Sequence, residues 1–473
     1  MHKIQILMLD DSTIVAIATP AGMGAIAVIR LSGKDSITIA DSVFQSSKRG
    51  KKLASQKPYT IHYGSVMDNG RVLDDVLVSI FKAPHSYTGE DSIEISCHGS
   101  VVIQQQILEL LIKNGARLAK PGEFTLRAFL NGKIDLSQAE AIADLIASSS
   151  EAARRVALQQ MRGGFSDKLK ALREQLVKFT ALIELELDFS DEDVEFADRT
   201  QLEQLINGIL AEINRLIESF SHGNAIKTGI PVTIAGKPNV GKSTLLNRLL
   251  NEEKAIVSEI AGTTRDSIED TIHLGGINFR FIDTAGLRHT SDTIESIGIE
   301  RALNKIEQAK VVLYLLDAQE SMADCLTAIS EFKPKLTNEQ SLIVLVNKED
   351  KSNPQHTVDL VTAINKQFAC KSISISAKGG HNIDLLTQIL IEIGLSGQPE
   401  NEDVVVTNAR HYDSLINTQK NLNQALVGLK ANISGDLLAI DIRQAIYHLG
   451  EITGEITNNE VLGYIFSKFC IGK

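Results

Sequence analysis

The apolar positions of this chain change period twice. Between residues 13 and 97 they fall in short, β-branched, alternating runs: "TIVAIAT", "AIAVIRL", "YTIHYGSV", "VLVSIFK" and "SIEISC". A period of two puts every other side chain on one face, so these runs predict strands. "VVIQQQILELLIKNG" follows Ser100 with helical spacing and closes near Gly115, completing a small α+β domain. After "KPGEF" the period is helical. Ser137 and Glu140 have the spacing of a capping box and open "LSQAEAIADLIASSSEAARRVALQQM", read as helix. Leu169, Leu172, Leu176, Phe179 and Ile183 then recur at spacings of 3, 4, 3 and 4, a stripe that faces other helices rather than a cofactor. "LEQLINGILAEINRLIESF" carries the bundle to residue 220, and "SHGNAIKTGIP" reads as its break.

From residue 231 continuous apolar strands alternate with helices: "VTIAG", "FRFID", "VVLYLLD", "LIVLVN" and "SISIS". That pattern predicts a mostly parallel sheet covered on both faces. "GLSGQPENED" (394–403) ends the unit, and helical periodicity returns in "LINTQKNLNQALVGLK" and "LLAIDIRQAIYHLG". The simplest topology inserts an α/β domain into a helical one. The expected fold is therefore multidomain α/β and α: an N-terminal α+β domain (1–127), a helical bundle from two segments (128–226 and 397–473), and an inserted domain (227–396).

Composition narrows the classes. At 473 residues, 43% hydrophobic and 23% charged, the chain is an ordinary globular protein with room for about three cores. Four cysteines, at 97, 325, 370 and 470, are too dispersed for a zinc knuckle or a disulfide framework and suit a reducing compartment. No apolar run reaches the ~18 residues of a membrane span, and "MHKIQILMLD" leads into Asp11 without a cleavage site, so a cytoplasmic location is expected. The net charge is −11, and "ELELDFSDEDVE" (184–195) alone carries seven carboxylates. An RNA role therefore needs a local basic patch or a partner that presents the RNA. The terminal "CIGK" mimics a prenylation box, but Gly472 and Lys473 fit neither the aliphatic slot nor the usual last residue.

Four motifs carry chemistry. "GKPNVGKS" (236–243) stands between a predicted strand and helix, the setting of a P-loop. Its backbone N–H groups, including those of Asn239, Val240, Gly241 and Thr244, face phosphate, Lys242 reaches the β- and γ-phosphates, and Ser243 ligates Mg²⁺. "DTAG" (Asp283, Thr284, Ala285, Gly286) places a carboxylate near the metal and an N–H near the γ-phosphate. "NKED" supplies Asn347, Lys348 and Asp350, whose carboxylate accepts two hydrogen bonds from guanine that adenine does not offer. "SAK" (Ser376, Ala377, Lys378) closes the base pocket. In register, the set reads as a Ras-like GTP-binding domain. Leu287 stands where Ras-like proteins have the water-orienting Gln, so hydrolysis draws that function from elsewhere. Asn239 with "SEIAGTTRD" (258–266) offers side-chain and carbonyl oxygens for a monovalent cation that does the work of an arginine finger; alternatively Asn239 bonds only its own loop.

The chain resembles the MnmE (TrmE) family of tRNA-modification GTPases. The likeness runs through "TIVAIATPAGMGAIAVIRLSG", "TGED", "PGEFTLRAFLNGKIDLSQAEAIADLI", "AGTTRD", "IGIERA", "GEITGEIT" and "FCIGK", nearly the whole chain. The resemblance implies a homodimer through the N-terminal domain, which binds a tetrahydrofolate derivative in its 5,10-methylene or 5-formyl form. It implies a heterotetramer with an FAD-dependent partner, MnmG (GidA). Together they add an aminomethyl or carboxymethylaminomethyl group to C5 of the wobble uridine of certain tRNAs, tRNA being met through the complex. It implies potassium-dependent GTP hydrolysis, with K⁺ held by Asn239, Ser258, Ile260 and Thr263 and Mg²⁺ by Ser243 and Thr264. Glu259, Ala261 and Gly262 belong to the same nucleotide-binding loop. Glu295, twelve residues after Asp283, matches the glutamate that positions water; by residue type alone it is a solvated acid. Arg30, Glu94, Lys133 and Lys473 match folate contacts.

The terminal thiol then has a place: a bundle beside a folate pocket carries Cys470 and Lys473 into it, Cys470 as a catalytic group or as a small polar contact. Cys97 in "SCHGS" departs from the small residue expected there and reads as a buried one. Two rival readings remain: a regulatory switch GTPase associated with ribosomes or RNA, and a folate-dependent one-carbon transferase to which GTP is incidental.

Overall fold

The computed structural model describes residues 11–188, 199–252, 270–282, 308–337, 340–395 and 404–473. They form two compact units, Met1–Ala143 with Gln159–Ile209 and Asn417–Lys473, and Asp144–Leu158 with Leu210–Ile416.

The first unit holds a seven-stranded sheet of order β3-β4-β5-β6-β2-β1-β7. Its strands are β1 (Ile14–Ile17), β2 (Ile26–Ser32), β3 (Phe44–Ser46), β4 (Thr60–Asp68), β5 (Arg71–Phe81), β6 (Ser92–His98) and β7 (Arg117–Leu118). All five alternating runs of the sequence are strands. Only β1 and β7 pair in parallel. Helices α1 (Ser36–Val43) and α2 (Val101–Lys113) cover one face, where Ile37, Ile107 and Leu111 pack on Ile29, Val78 and Ile95. The other face is open over β4 and β5, where the register partners Tyr63 and Leu77 are both exposed, and is covered at β1, where Ile14 and Ala16 pack on Phe124.

Five helices follow: α3 (Glu123–Leu130), α4 (Leu136–Ala147), α5 (Glu151–Met161), α6 (Gly164–Asp188) and α7 (Arg199–Thr228). The expected capping box is displaced by two residues. Asp135 and Gln138 form it, since the Gln138 N–H donates to Asp135 Oδ1 (3.0 Å) and the Asp135 N–H donates to Gln138 Oε1 (2.9 Å). Ser137 instead sits inside, with its hydroxyl bonded to Asp135 and Ser166. The long helix predicted over 136–161 is two. Ser148 bonds back to the Leu145 carbonyl, and the Ser150 hydroxyl accepts the Ala153 N–H, so the serine run ends one helix and caps the next. Of the stripe, Leu169, Leu172, Leu176 and Ile183 are buried and Phe179 is half-buried. α6 packs on α13 (Gly435–Thr453), so helices from both sides of the α/β segment share one bundle.

"SHGNAIKTGIP" does not break the bundle. α7 runs through it to Thr228 and stops only at Gly229, whose φ is +88°. Gly223 serves close packing here: a Cβ on it would overlap the Val406 carbonyl oxygen and lie 2.5 Å from a Val405 methyl.

The second unit carries a six-stranded sheet, order β13-β12-β11-β8-β10-β9. Strands β8 (Ile230–Gly236), β10 (Ile277–Phe281), β11 (Val311–Asp317), β12 (Ser341–Asn347) and β13 (Lys371–Ser374) are parallel; β9 (Asp270–Leu274), unforeseen, is an antiparallel edge. Along β11, Val311, Leu313 and Leu315 enter one core while Val312, Tyr314 and Leu316 enter the other. Burial on both faces is why the run reads as unbroken apolar sequence. Its helices are α8 (Lys242–Glu252), α9 (Met322–Phe332), α10 (Pro354–Phe368) and α11 (Ile383–Leu395); α12 (Ala409–Lys430), α13 and α14 (Asn459–Ser467) end the chain. Among the described residues, no helix is long and apolar enough to cross a membrane.

Gly223→Ala is expected to destabilise the protein by roughly 1–3 kcal/mol through overpacking, more than the ~1 kcal/mol that helix propensity returns. Gly208→Ala in the same helix meets nothing within 4 Å and is expected to stabilise instead. Urea unfolding of the two variants side by side checks the opposite signs.

Candidate functional site

In the second unit, β8 ends at Gly236 and α8 starts at Lys242, so the "GKPNVGKS" loop spans a strand end and a helix N-terminus. Gly236 (φ +144°), Asn239 (φ +61°) and Gly241 (φ +102°) turn the chain through the left-handed region, and Ser243 and Thr244 lie in the first helical turn. Gly241 has no alternative, because a Cβ there would collide with the Asn347 side-chain amide. Lys242 Nζ donates to the carbonyls of Gly236 and Lys237, each at 2.8 Å. Burial lowers its pKa.

Asn347 ends β12 and joins three motifs. Its Nδ2 donates to the Val240 carbonyl (2.7 Å), and its Oδ1 accepts the Ala377 N–H (3.0 Å). It is 3% exposed, so both bonds act in a dry setting. Lys348 adopts φ +66° and pairs with Asp317 at 2.6 Å. Asp350 Oδ1 accepts the Ser376 hydroxyl at 2.6 Å, and that bond holds the carboxyl below its usual range. Ser376 Oγ also accepts the Gly379 N–H (2.9 Å). Arg248 of α8 donates to the Lys378 carbonyl (3.0 Å), a tie no motif announced. The structure thus gathers Asn239, Val240, Gly241, Lys242, Ser243, Asn347, Asp350 and Ser376 around one strand-end crevice. Ser258, Glu259, Ile260, Ala261, Gly262, Thr263, Thr264, Asp283, Thr284, Ala285, Gly286, Leu287 and Glu295 lie outside the described residues.

A second constellation lies in the first unit. Arg30 on β2 and Glu94 on β6 are register partners. Arg30 donates through Nε (2.9 Å) and Nη2 (2.7 Å), both to Glu94 Oε1. Its guanidinium rests 5.5 Å from the Tyr87 ring centre and 5.8 Å from that of Phe124. Tyr87 is fixed by a 2.8 Å bond to Thr125. Lys133 Nζ donates to the Pro84 carbonyl (3.1 Å) in the loop that carries Tyr87. The chain terminus packs here too. The Gly122 N–H points to the Cys470 carbonyl (3.4 Å), and the Lys473 N–H donates to the same oxygen (3.3 Å). Gly472 (φ +95°) presses on β1, where a Cβ would lie 2.5 Å from the Ile17 carbonyl oxygen. Ala16, the neighbour of Ile17, faces Arg30 across the strand pair. Cys470 is exposed. Cys97 is buried among the sheet core, and burial pushes its thiol up to about 11.

A buried ionic layer under this site was not foreseen. Arg127, 4% exposed, bonds Glu90 (3.1 Å) and Glu123 (3.2 Å), and Arg117 grips Glu123 at 2.6 Å. Burial drives Glu123 upward, but the Arg117 bond and both guanidinium charges outweigh it and leave its pKa lowered. In sequence these residues are separate charges with no motif.

Comparison with known proteins settles the family. A model described as "GTP-binding protein TrmE N-terminus" matches residues 13–133, and one described as "MnmE helical domain" matches residues 136–470. The chain belongs to the MnmE (TrmE) family of tRNA modification GTPases. Proteins named tRNA modification GTPase MnmE are similar over nearly their whole length. Those of Flavobacterium johnsoniae (54% identity), Flavobacterium psychrophilum (55%) and Bacteroides fragilis (54%) each align with 98% of this chain and 100% of their own.

For this MnmE-family chain, thiol alkylation at pH 8 is expected to label Cys470 in a fast phase that Cys470→Ser removes. Cys97 is expected to label slowly, at a rate that rises with pH, because a thiol with a pKa of about 11 is almost wholly protonated at pH 8. Time-resolved peptide mass spectrometry distinguishes the two.

Proposed function

We propose that this protein binds GTP in the crevice between the P-loop, Asn347 and Asp350, hydrolyses it, and acts with an FAD-dependent partner, MnmG (GidA), on tRNA. The product is an aminomethyl or carboxymethylaminomethyl group on C5 of the wobble uridine of certain tRNAs. Family membership carries the activity. The observation that carries the choice of nucleotide is the Asp350 carboxylate, kept ionised by Ser376. An ionised carboxylate accepts two N–H bonds from a guanine edge, whereas adenine leaves it partly unpaired.

The residues fit the groups the reading requires. The glycine cradle leaves backbone room where phosphate binds, and Ser243 stands in the first turn of α8 to ligate Mg²⁺. Asn239, with Ser258, Ile260 and Thr263, would hold K⁺, Thr264 would share the Mg²⁺, and Glu295 would orient water in place of the missing Gln. At the second constellation, Glu94 spends one oxygen on Arg30 and has the other for a pterin N–H donor. Lys133 and Lys473 would meet the anionic glutamate tail. A bound tetrahydrofolate derivative would supply a one-carbon unit, and Cys470 lies beside it as a reactive thiol or a polar contact. The proposed division is 1–127, 128–226 with 397–473, and 227–396, in a cytoplasmic homodimer joined through the N-terminal domain.

Mass spectrometry of wobble nucleosides from strains with and without this protein tests the whole reading. C5-modified uridine is expected to disappear on deletion and to stay lost with Lys242→Ala. Unchanged wobble uridine favours a switch GTPase outside modification, and product undiminished by Lys242→Ala favours a transferase to which GTP is incidental. Asp350→Asn replaces an acceptor with a donor, so the preferred substrate is expected to move from GTP toward XTP. Hydrolysis measured with both nucleotides checks that reversal.

A further inference from the structure

We propose that the loop between β3 and β4 is an RNA-binding element of this chain, contacting the tRNA phosphate backbone directly. The proposal rests on the reading that the protein acts on tRNA and adds a surface to it. Lys48, Arg49, Lys51, Lys52 and Lys57 stand within ten residues, and no carboxylate occurs from Ser42 to Met67. In a chain of net charge −11 that is a pronounced local reversal.

The structure makes the reversal a presented surface. All of these cations are exposed except Lys51, which is half-buried, and among the described residues none has a carboxylate within ion-pair distance. Elsewhere in this unit cations are spent on carboxylates: Arg30 on Glu94, Arg117 on Glu123, Lys170 on Asp135 and Arg173 on Glu455.

The loop is ordered without its charges. Leu53 is 2% exposed and anchors it, with the Leu53 N–H held by Asp41 Oδ1 (2.8 Å). The Lys51 N–H donates to the Lys48 carbonyl (3.2 Å), and Gln56 Nε2 donates to the Lys52 carbonyl (2.7 Å). Only main-chain atoms of the lysines take part, so their ammonium groups are free for a ligand. Lys82 joins from β5's end, donating to the Ala54 carbonyl (3.4 Å).

Polyanionic RNA is the favoured partner over a lipid surface for two reasons. Between Ser47 and Pro58 the loop exposes no large aliphatic side chain to insert into a bilayer, its one leucine, Leu53, being buried. Two tyrosines flank it instead: Tyr59, 65% exposed, follows Lys57 by two residues, and Tyr63, 56% exposed, accepts the Ser47 N–H. Exposed aromatic rings among cations suit splayed bases beside a phosphate backbone.

The test is a full-length variant combining Lys48→Gln, Arg49→Gln, Lys51→Gln and Lys52→Gln, titrated with unmodified tRNA across a salt series. Affinity is expected to fall at least tenfold at low salt, and the log–log salt slope to shrink by about 3, at ~0.7–0.9 per lost phosphate contact. GTP hydrolysis is expected to stay at the wild-type rate. Unchanged affinity and slope would overturn the proposal. So would a variant that keeps tRNA binding but loses co-sedimentation with phosphatidylserine vesicles, which assigns the loop to lipid. Failure of the broader tRNA reading shows separately, as unaltered wobble nucleosides in the deletion strain.

Discussion

The side-chain amide of Asn347 has one donor pair and one acceptor, and it spends them on different loops. Nδ2 holds the Val240 carbonyl in the P-loop, and Oδ1 holds the Ala377 N–H behind the base pocket. No other side chain of similar size offers a donor and an acceptor at one planar tip in this way, apart from the longer Gln. Gly241 completes the arrangement, since only the missing Cβ lets the amide approach. The P-loop and the loop that holds Ser376 and Asp350 are therefore set relative to one another by one buried residue. An error of an ångström there would separate the two halves of a single ligand site.

The first unit depends on a different constraint, buried charge. Arg127 and Glu123 are each at most 4% exposed, and Glu90 and Arg117 complete the set. Such a cluster yields little net stability against an apolar substitute, but it is costly to break, because the remaining charge has nowhere to go. Its geometry matters more than its energy. Arg127 also reaches the Ser12 carbonyl (2.9 Å), and Glu90 accepts the Ser32 hydroxyl (2.7 Å). One layer thus binds α3, the Tyr87 loop, β2 and the segment before β1, all of which surround Arg30. The half-buried Arg30–Glu94 pair thus stands among elements that the buried charges tie together.

Legibility in the sequence followed how local each signal was. The strands were readable because alternation and double-sided burial are written in consecutive residues, as β11 shows with its two interleaved cores. That the P-loop, NKED and SAK motifs belong together was readable because each is short and contiguous, and Asn347 and Ser376 join them at one crevice. What was misread depended on distant partners. Gly223 looks like a helix breaker until Val406 is placed against it. Ser137 looks like a cap until Asp135 and Gln138 take that role and Ser166 draws the hydroxyl inward. The edge strand β9 was missed because its polar residues alternate over only five positions. The ionic layer was invisible since Glu90, Arg117 and Arg127 meet only in three dimensions.

Lys242 shows how the fold and the ligand exchange stability. Its ammonium is partly desolvated, which lowers its pKa, and two neutral carbonyls are its partners. Carbonyl dipoles compensate a buried cation less well than an anion does, because a full opposite charge attracts it more strongly than a dipole at the same distance. A phosphate entering the cradle therefore replaces a poorer partner with a better one, at a position where the backbone is already turned to receive it. By linkage, whatever binds only the folded state stabilises it in proportion to its occupancy. Asn239, a non-glycine residue in the left-handed region, sits on the same loop, so part of that loop's conformational cost is already met before a ligand arrives. A nucleotide that fits this crevice is in this sense part of the local fold.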